Sequence, residues 1–329
     1  MPYKPPFTIT SEILNLVAEI SQQVGRLDAS ALNASPQLRK QNRIKTITGT
    51  LAIEGNTLTV EQITAFVDGK PVLGNVRELA EVKGAIAAYE ALPIFQPDNI
   101  PDLLAAHGLM MSNILVNAGA FRNKGVGIHK AGVVHHIAPP AHRVPGLMAD
   151  LTQWLTQAKD HPLITSSVFH YEFEFIHPFT DGNGRMGRLW QTLILSRWHP
   201  LFLSLPLESV IKDHQQTYYQ ALEQGDEQAD STPFIRFILS IIARTLTQNA
   251  SVSAPANAPV NPERDVRGLK TPEAILVLLA YNPQRTRQQL AELMGKDLRT
   301  IGRALAKLQQ AGKIKRVGSD KTGHWEVQP

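Results

Sequence analysis

The chain has no cysteine among its 329 residues, which removes disulfide frameworks, thiolate chemistry and cysteine-ligated zinc from consideration. It has no run approaching the ~18 uninterrupted apolar residues of a membrane-crossing helix. Its first six residues, Met1-Pro-Tyr-Lys-Pro-Pro6, lack the apolar stretch of a secretory signal. No membrane partner is expected, and the cytoplasm is the expected compartment. Nor is there a strong charge of one sign overall, since the formal net is +4. That modest figure hides an asymmetry. From Arg264 to Pro329 there are 13 Lys/Arg against 6 Asp/Glu, a net of +7, which leaves 20 against 23 and a net of −3 in the rest. The basic balance belongs to the tail.

What is present is concentrated in one stretch, Phe175 to Arg188. An apolar, helix-permissive segment, 166–176, runs into it and a second, 185–198, runs out of it. Pro178 must break the first helix, and the Gly182-Asn183-Gly184 turn sits where the second begins. Such a loop leaves backbone N–H groups unpaired at a helix N-terminus, a ready anion site. Around it stand one imidazole (His177), one carboxylate (Asp181) and two guanidiniums (Arg185, Arg188). These are the parts for handling a polyphosphate with a divalent metal: N–H donors and arginines for the oxygens, a hard ligand for Mg2+, and a base. The plainer alternative is a glycine turn joining two core helices with its charges solvated. That alternative does account for Phe179 as a core anchor of the loop.

The string His177-Pro-Phe-x-Asp181-Gly-Asn-Gly-Arg185-x-x-Arg188 resembles the signature of the Fic family at every defined position, nine residues in a span of twelve. The resemblance implies a mainly α fold and transfer of AMP from ATP to hydroxyl side chains of proteins. It implies His177 as the base and Asp181 as the Mg2+ ligand. Phe179, Gly182, Asn183, Gly184, Arg185 and Arg188 then form the nucleotide and phosphate cradle. A second string, Thr50-Leu-Ala-Ile-Glu54-Gly55, resembles the inhibitory-helix pattern of autoinhibited members. There Glu54 would pair with Arg188 and take the cation meant for the outer phosphates. The alternative is a surface carboxylate at a helix end with Gly55 as its cap.

Taken in order, residues 10–27 read as a first helix with Ser11 available as its cap. A second runs from about 37 to 55. Helices over 59–68, 75–92 and 100–115 follow. Val126 to Ile137 reads as a two-stranded hairpin, which in the family is the flap that docks the target main chain, here Val133, Val134, His135 and His136. The two histidines are adjacent on a strand and point to opposite faces, so a flap role is favoured over metal binding. Arg122 also fits the family pattern. His170 sits among Val168, Phe169, Phe173 and Phe175 and reads as a packed histidine rather than a second base. A helix over 209–223 carries Tyr218 and Tyr219, which family analogy puts beside the adenine. Core packing is the even alternative for both, and His214 stands where many relatives have asparagine.

The expected architecture is therefore an N-terminal helical region (1–94) carrying the inhibitory helix, a Fic catalytic domain (95–248) with a small hairpin flap, a linker (249–263) and a tail (264–329). In the tail, helices over 272–281, 286–295 and 297–312 precede two short strands, an order that resembles a winged helix. Its third helix would offer Lys296, Arg299, Arg303 and Lys307, and its wing Lys315, Arg316 and Lys321. The expected partners are ATP, Mg2+ and a protein bearing a modifiable hydroxyl. For the tail, DNA, a protein or a second copy of the chain as a homodimer stay open. Two rival functions also stay open: a DNA-binding or antidote-like regulator with a weak core, and a related enzyme that uses another nucleotide or removes AMP.

Overall fold

The computed structural model describes residues 3–26, 36–130, 133–253, 270–281, 283–317 and 324–327. The chain divides into two compact units, Met1–Ser253 and Ala254–Pro329.

In the first unit, α1 (Ser11–Arg26) is capped by Thr10, whose hydroxyl accepts the Ile13 N–H at 3.2 Å. Ser11, the expected cap, is the first helical residue. Ile13, Ile20 and Val24 face the core, while Leu14 is exposed. Next comes α2 (Pro36–Ile53). Ile44, Ile47, Leu51 and Ile53 bury its inner face, and it stops where Gly55 adopts φ +90°, a left-handed cap for which glycine is suited. At Gly49 a Cβ would lie 2.5 Å from the Ser209 backbone nitrogen, so the bare glycine lets this helix press directly on the element beneath it.

Helices α3 (Val60–Val67), α4 (Val76–Ala91) and α5 (Ile100–Met110) follow, each started by a polar cap, Thr59, Asn75 and Asn99. The third of these ends at Met110 instead of the expected 115, because the chain turns through Asn113 at φ 63°. The hairpin forms as β1 (Gly127–Lys130) and β2 (Val133–Ile137), antiparallel with Gly127 opposite Ile137 and a bulge between Ile128 and His129. Then come α6 (Val144–Gln157), α7 (Pro162–Ile176) and α8 (Asn183–Trp198). The last two lie at the centre of the unit. Nearly every residue of α7 from Leu163 to Phe173 is buried, which explains its lack of a polar face.

The helix expected over 209–223 is two, α9 (Leu207–Asp213) and α10 (Gln215–Gln228). They break at His214, whose Nδ1 bonds the Val210 carbonyl at 2.9 Å. Helix α11 (Thr232–Ser253) closes the unit and runs into the first residues of the expected linker. The remainder of that linker lies outside the described residues. One core contains Ile13, Ile47 and Val82 together with Val168, Leu193 and Ile242, so the boundary drawn at residue 94 is not a boundary in packing.

The second unit contains α12 (Thr271–Tyr281), α13 (Arg287–Met294), α14 (Leu298–Gln310) and the antiparallel pair β3 (Ile314–Val317) and β4 (His324–Val327). Its small core comprises Ile275, Leu278, Leu290, Ile301, Leu305, Leu308 and Ile314. Helix α13 opens on a Thr286–Gln289 capping box and closes on Gly295 at φ 59°. Lys321, assigned to the wing, lies outside the described residues.

Candidate active site

The site is the junction of α7 and α8. The first helix ends because Pro178 has no N–H to continue it. The residue that caps it, His177, turns into the left-handed region (φ 50°, ψ 61°), which costs a non-glycine residue energy and persists only when its surroundings enforce it. Arg122 is the main enforcer. Its Nε donates to the His177 carbonyl at 2.7 Å and its Nη2 to the carbonyls of Pro139 and Ile176. Its own N–H donates to the Pro178 carbonyl at 2.9 Å. This side chain is 3% exposed, so it acts as a rivet beneath the turn.

The loop that follows is locked from within. Asn183 accepts the Phe179 N–H at 2.8 Å and donates to the Phe179 carbonyl at 2.9 Å. Its side-chain amide is therefore committed to the backbone, and it shapes the cradle. Phe179 is fully buried. Its ring lies flat on His107, centroids 3.7 Å apart, so of the residues assigned to the nucleotide it is the core anchor and nothing more. Gly182 takes φ +87°, and a Cβ there would come within 2.7 Å of Met111 Sδ.

His107 went unnoticed in the sequence. The Gly119 N–H donates to its Nδ1 at 2.9 Å, which leaves the proton on Nε2 to donate to the Asp181 carbonyl at 3.0 Å. Burial lowers its pKa to about 4, so the ring is neutral despite the opposing pull of the Asp181 carbonyl. Its partners lie 12 and 74 residues away, beyond the reach of any local pattern.

The charged groups converge on the start of α8, where the first N–H groups have no intrahelical acceptor. Asp181 Oδ1 accepts from the Gly182 N–H at 2.6 Å and from Arg185 Nη2 at 3.1 Å, while Oδ2 accepts from Arg77 Nη2 at 3.2 Å. Arg185 is 2% exposed, yet its Nε and Nη1 make no hydrogen bond; Glu81 stands 3.7 Å from Nη1. Arg188 is equally buried. Its Nε donates to Thr50 Oγ1 at 3.0 Å, and its Nη2 donates to the Thr50 carbonyl at 3.1 Å and to Glu54 Oε1 at 2.7 Å. Burial is the largest influence and opposes the charge on this guanidinium, but Glu54, Tyr218 and Glu174 together outweigh it, and its pKa is raised. The same Glu54 oxygen lies over the loop: a Cβ on Gly184 would be 2.5 Å from it. The expected contact between Glu54 and Arg188 is thus formed, with Thr50 as a second support for the guanidinium and Gly55 as the cap that lets the helix end there.

The tyrosines separate. Tyr218 is 2% exposed, packed among Tyr219, Phe234 and Phe237, and its hydroxyl meets His170 Nε2 at 3.2 Å. A ring so enclosed has no face to offer a base, which corrects its assignment to the adenine. Tyr219 is half-buried beside Gln215, whose amide also holds the Ile53 carbonyl at 2.8 Å. His170 is fully buried and bonds Gln191 at 2.7 Å, as its apolar neighbours predict. The backbone of Val133, Val134, His135 and His136 forms β2; their side chains lie outside the described residues. Among the described residues no group of three His, Cys, Asp or Glu is arranged to hold a metal. A single carboxylate such as Asp181 would meet the lesser demand of Mg2+, which uses one or two carboxylates together with substrate phosphates.

Fold and site together define a helical protein with an anion cradle at one helix N-terminus, two buried arginines beside it, and a carboxylate of the same chain seated on one of them. Residues 98–195 match the Fic/DOC family. Over 99% of this chain and 98% of the other, the structure is similar to that of a Fic family protein from Desulfovibrio desulfuricans G20, with a TM-score of 0.75 and 43% identity. The chain belongs to the Fic family. Fic-1 from C. elegans shares the fold, with a TM-score of 0.61 and 24% identity over 73% of this chain and 71% of that one. Among curated proteins, the Culex quinquefasciatus protein named "Protein adenylyltransferase Fic" is 29% identical over 76% of this chain and 49% of its own length. The Caenorhabditis briggsae protein "Protein adenylyltransferase fic-1" is 30% identical over 70% and 45%. The chain spans about half the length of the curated relatives it matches. No described helix is long and apolar enough to cross a membrane.

Proposed function

We propose that the chain is a protein adenylyltransferase that moves AMP from ATP to a Ser, Thr or Tyr hydroxyl of a protein, itself included, and that Glu54 holds it in check. The observation that carries this is the state of the two buried guanidiniums. Arg185 has two buried N–H positions without hydrogen bonds. Among the described residues, Arg188 has as its one anionic hydrogen-bond partner a carboxylate that is 32% exposed at its side chain. Buried donors left unsatisfied are costly, and a bound polyphosphate would satisfy them at the helix N-terminus that also favours anions.

In this mechanism Arg185, Arg188 and the loop N–H groups hold the phosphates in line. His177, kept at the end of α7 by Arg122, takes the proton from the target hydroxyl. The hydroxyl oxygen forms a bond to the α-phosphorus, the bond from that phosphorus to the bridging oxygen breaks, and pyrophosphate leaves with the electron pair. A Mg2+ bound with the nucleotide would be held by Asp181 and neutralise charge on the phosphates. Because Glu54 and the outer phosphates compete for Arg188, the resting chain binds ATP in a poor pose or not at all.

Mass spectrometry of the protein after incubation with ATP and Mg2+ tests this reading: an added AMP on the chain or on a target supports it. Parallel incubations with other nucleoside triphosphates, and with an AMP-modified protein, separate it from a different donor and from AMP removal, since the cradle reads phosphates rather than bases. A complete lack of labelling by Glu54→Gly would leave the regulator reading in its place.

The tail supports a second partner, duplex DNA. Arg299, Arg303 and Lys307 are exposed one turn apart on α14, whose opposite face, Ile301, Leu305 and Leu308, is buried. That helix contains no acidic residue. A basic stripe of this kind meets phosphates in a salt-dependent manner. Fluorescence anisotropy of labelled duplex with the full chain across a salt series is the check. Affinity that ignores salt, or survives Arg299→Ala with Arg303→Ala, rules it out. A cytoplasmic site of action belongs to the same reading.

A further inference from the structure

We propose that Arg77 is the resting occupant of the metal side of Asp181, a guanidinium that a divalent cation must displace before the metal–nucleotide complex can seat. This rests on the reading of Asp181 as the metal's carboxylate. The two oxygens of that carboxylate are unequal. Oδ1 is held by donors at its own helix start, the Gly182 N–H and Arg185 Nη2. Oδ2 is the oxygen left to ligate, and Arg77 Nη2 sits on it at 3.2 Å.

Arg77 comes from another element, the first turn of α4. Its side chain is 64% exposed, and its Nε leans on Glu81 at 3.5 Å. Glu81 is only 12% exposed and is itself fixed by the Asn56 amide at 2.8 Å. The root of the Arg77 head group is therefore braced, while its tip reaches Asp181, whose side chain is 37% exposed. A guanidinium and a divalent cation cannot share Oδ2, because both need the same lone pairs and repel one another at that distance. An exposed ion pair is weak enough to be given up. A hydrated cation alone gains only one carboxylate by displacing Arg77, whereas a cation arriving on phosphates brings its remaining ligands with it. Arg77 thereby favours the metal–nucleotide complex over the free ion.

The test measures metal binding rather than turnover. Full-length protein carrying Glu54→Gly is titrated with Mn2+ in the presence of an ATP analogue bearing a methylene bridge between the α- and β-phosphates. Free Mn2+ is read by electron paramagnetic resonance. Arg77→Ala is expected to tighten apparent Mn2+ affinity about two- to five-fold, the span set by the worth of an exposed ion pair. Arg77→Lys, which keeps the charge without the planar fork, should fall between. Lys83→Ala, which removes a charge exposed on the same helix, should leave affinity unchanged. Unchanged or weakened Mn2+ binding by Arg77→Ala overturns the proposal, and weakening would make Arg77 a substrate ligand. An equal gain from Lys83→Ala overturns it too, by revealing a general field effect. Mn2+ binding that survives Asp181→Ala instead locates the failure in the metal reading itself.

Discussion

Replacing Glu54 with glycine is expected to raise activity, against the usual direction of substitutions in a functional site. In the resting chain Arg188 is 1% exposed at its side chain, and Glu54 Oε1 is 2.7 Å from its Nη2. A hydrogen bond to a charged group is worth about 1.5–3 kcal/mol. A phosphate competing for the same guanidinium must overcome that, and the tethered carboxylate is present at a local concentration that dilution does not lower. Removing it should improve productive ATP binding by about ten- to a hundred-fold, the same energy expressed as a ratio. The residue lies just beyond α2, with its N–H on the Leu51 carbonyl at 3.0 Å, so glycine does little to the helix. It does leave a buried cation supported only by the Thr50 hydroxyl and carbonyl among its hydrogen bonds. The variant should therefore be less stable by about 1–3 kcal/mol, and added ATP should restore the loss by mass action. Labelling with α-phosphate-labelled ATP reads the first effect and thermal unfolding with and without ATP reads the second. A folded Glu54→Gly protein whose labelling matches or falls below the wild type would refute inhibition through this residue.

His177→Ala should abolish transfer while ATP binding, measured by calorimetry in the Glu54→Gly background, survives, because base and phosphate cradle are separate groups. Asp181→Ala should lose activity together with its response to Mg2+; a normal titration curve would place the metal elsewhere. His107, neutral in the fold with a pKa near 4, binds fewer protons folded than unfolded between that value and its ordinary 6.5. Its contribution is full above about pH 6.5 and is lost as pH falls toward 4, amounting to about 3 kcal/mol at about 1.4 kcal/mol per unit. Urea unfolding of wild type and His107→Gln should show the difference between them shrinking across that window, and a constant difference would contradict the assignment.

The parts of this protein written in contiguous residues were legible before any fold was known. The 177–188 string carries its own turn chemistry: a proline that must end one helix, glycines that must begin the next, and charges spaced within a loop and one helical turn. The Thr50–Gly55 string is equally local, and so is the amphipathic period of α14. These patterns depend on backbone geometry within a few residues, which the order of side chains determines directly.

What only the tertiary structure decided depends on residues far apart in the chain. The family resemblance put Phe179 and Asn183 in the nucleotide site as parts of the motif, and put Tyr218 beside it by analogy. Packing turned the first two into the loop's internal braces and sent the third into the core. His107, Arg77 and Glu81 carried no local signal, since each acts through partners brought close by the folding of α4 and α5 onto α8. The pairing of Glu54 with Arg188 across 134 residues lay between. Each half was visible as a motif, but their contact needed α2 to be set against α8. Charge and hydrogen bonding act through space, and only the fold converts separation along the chain into distance.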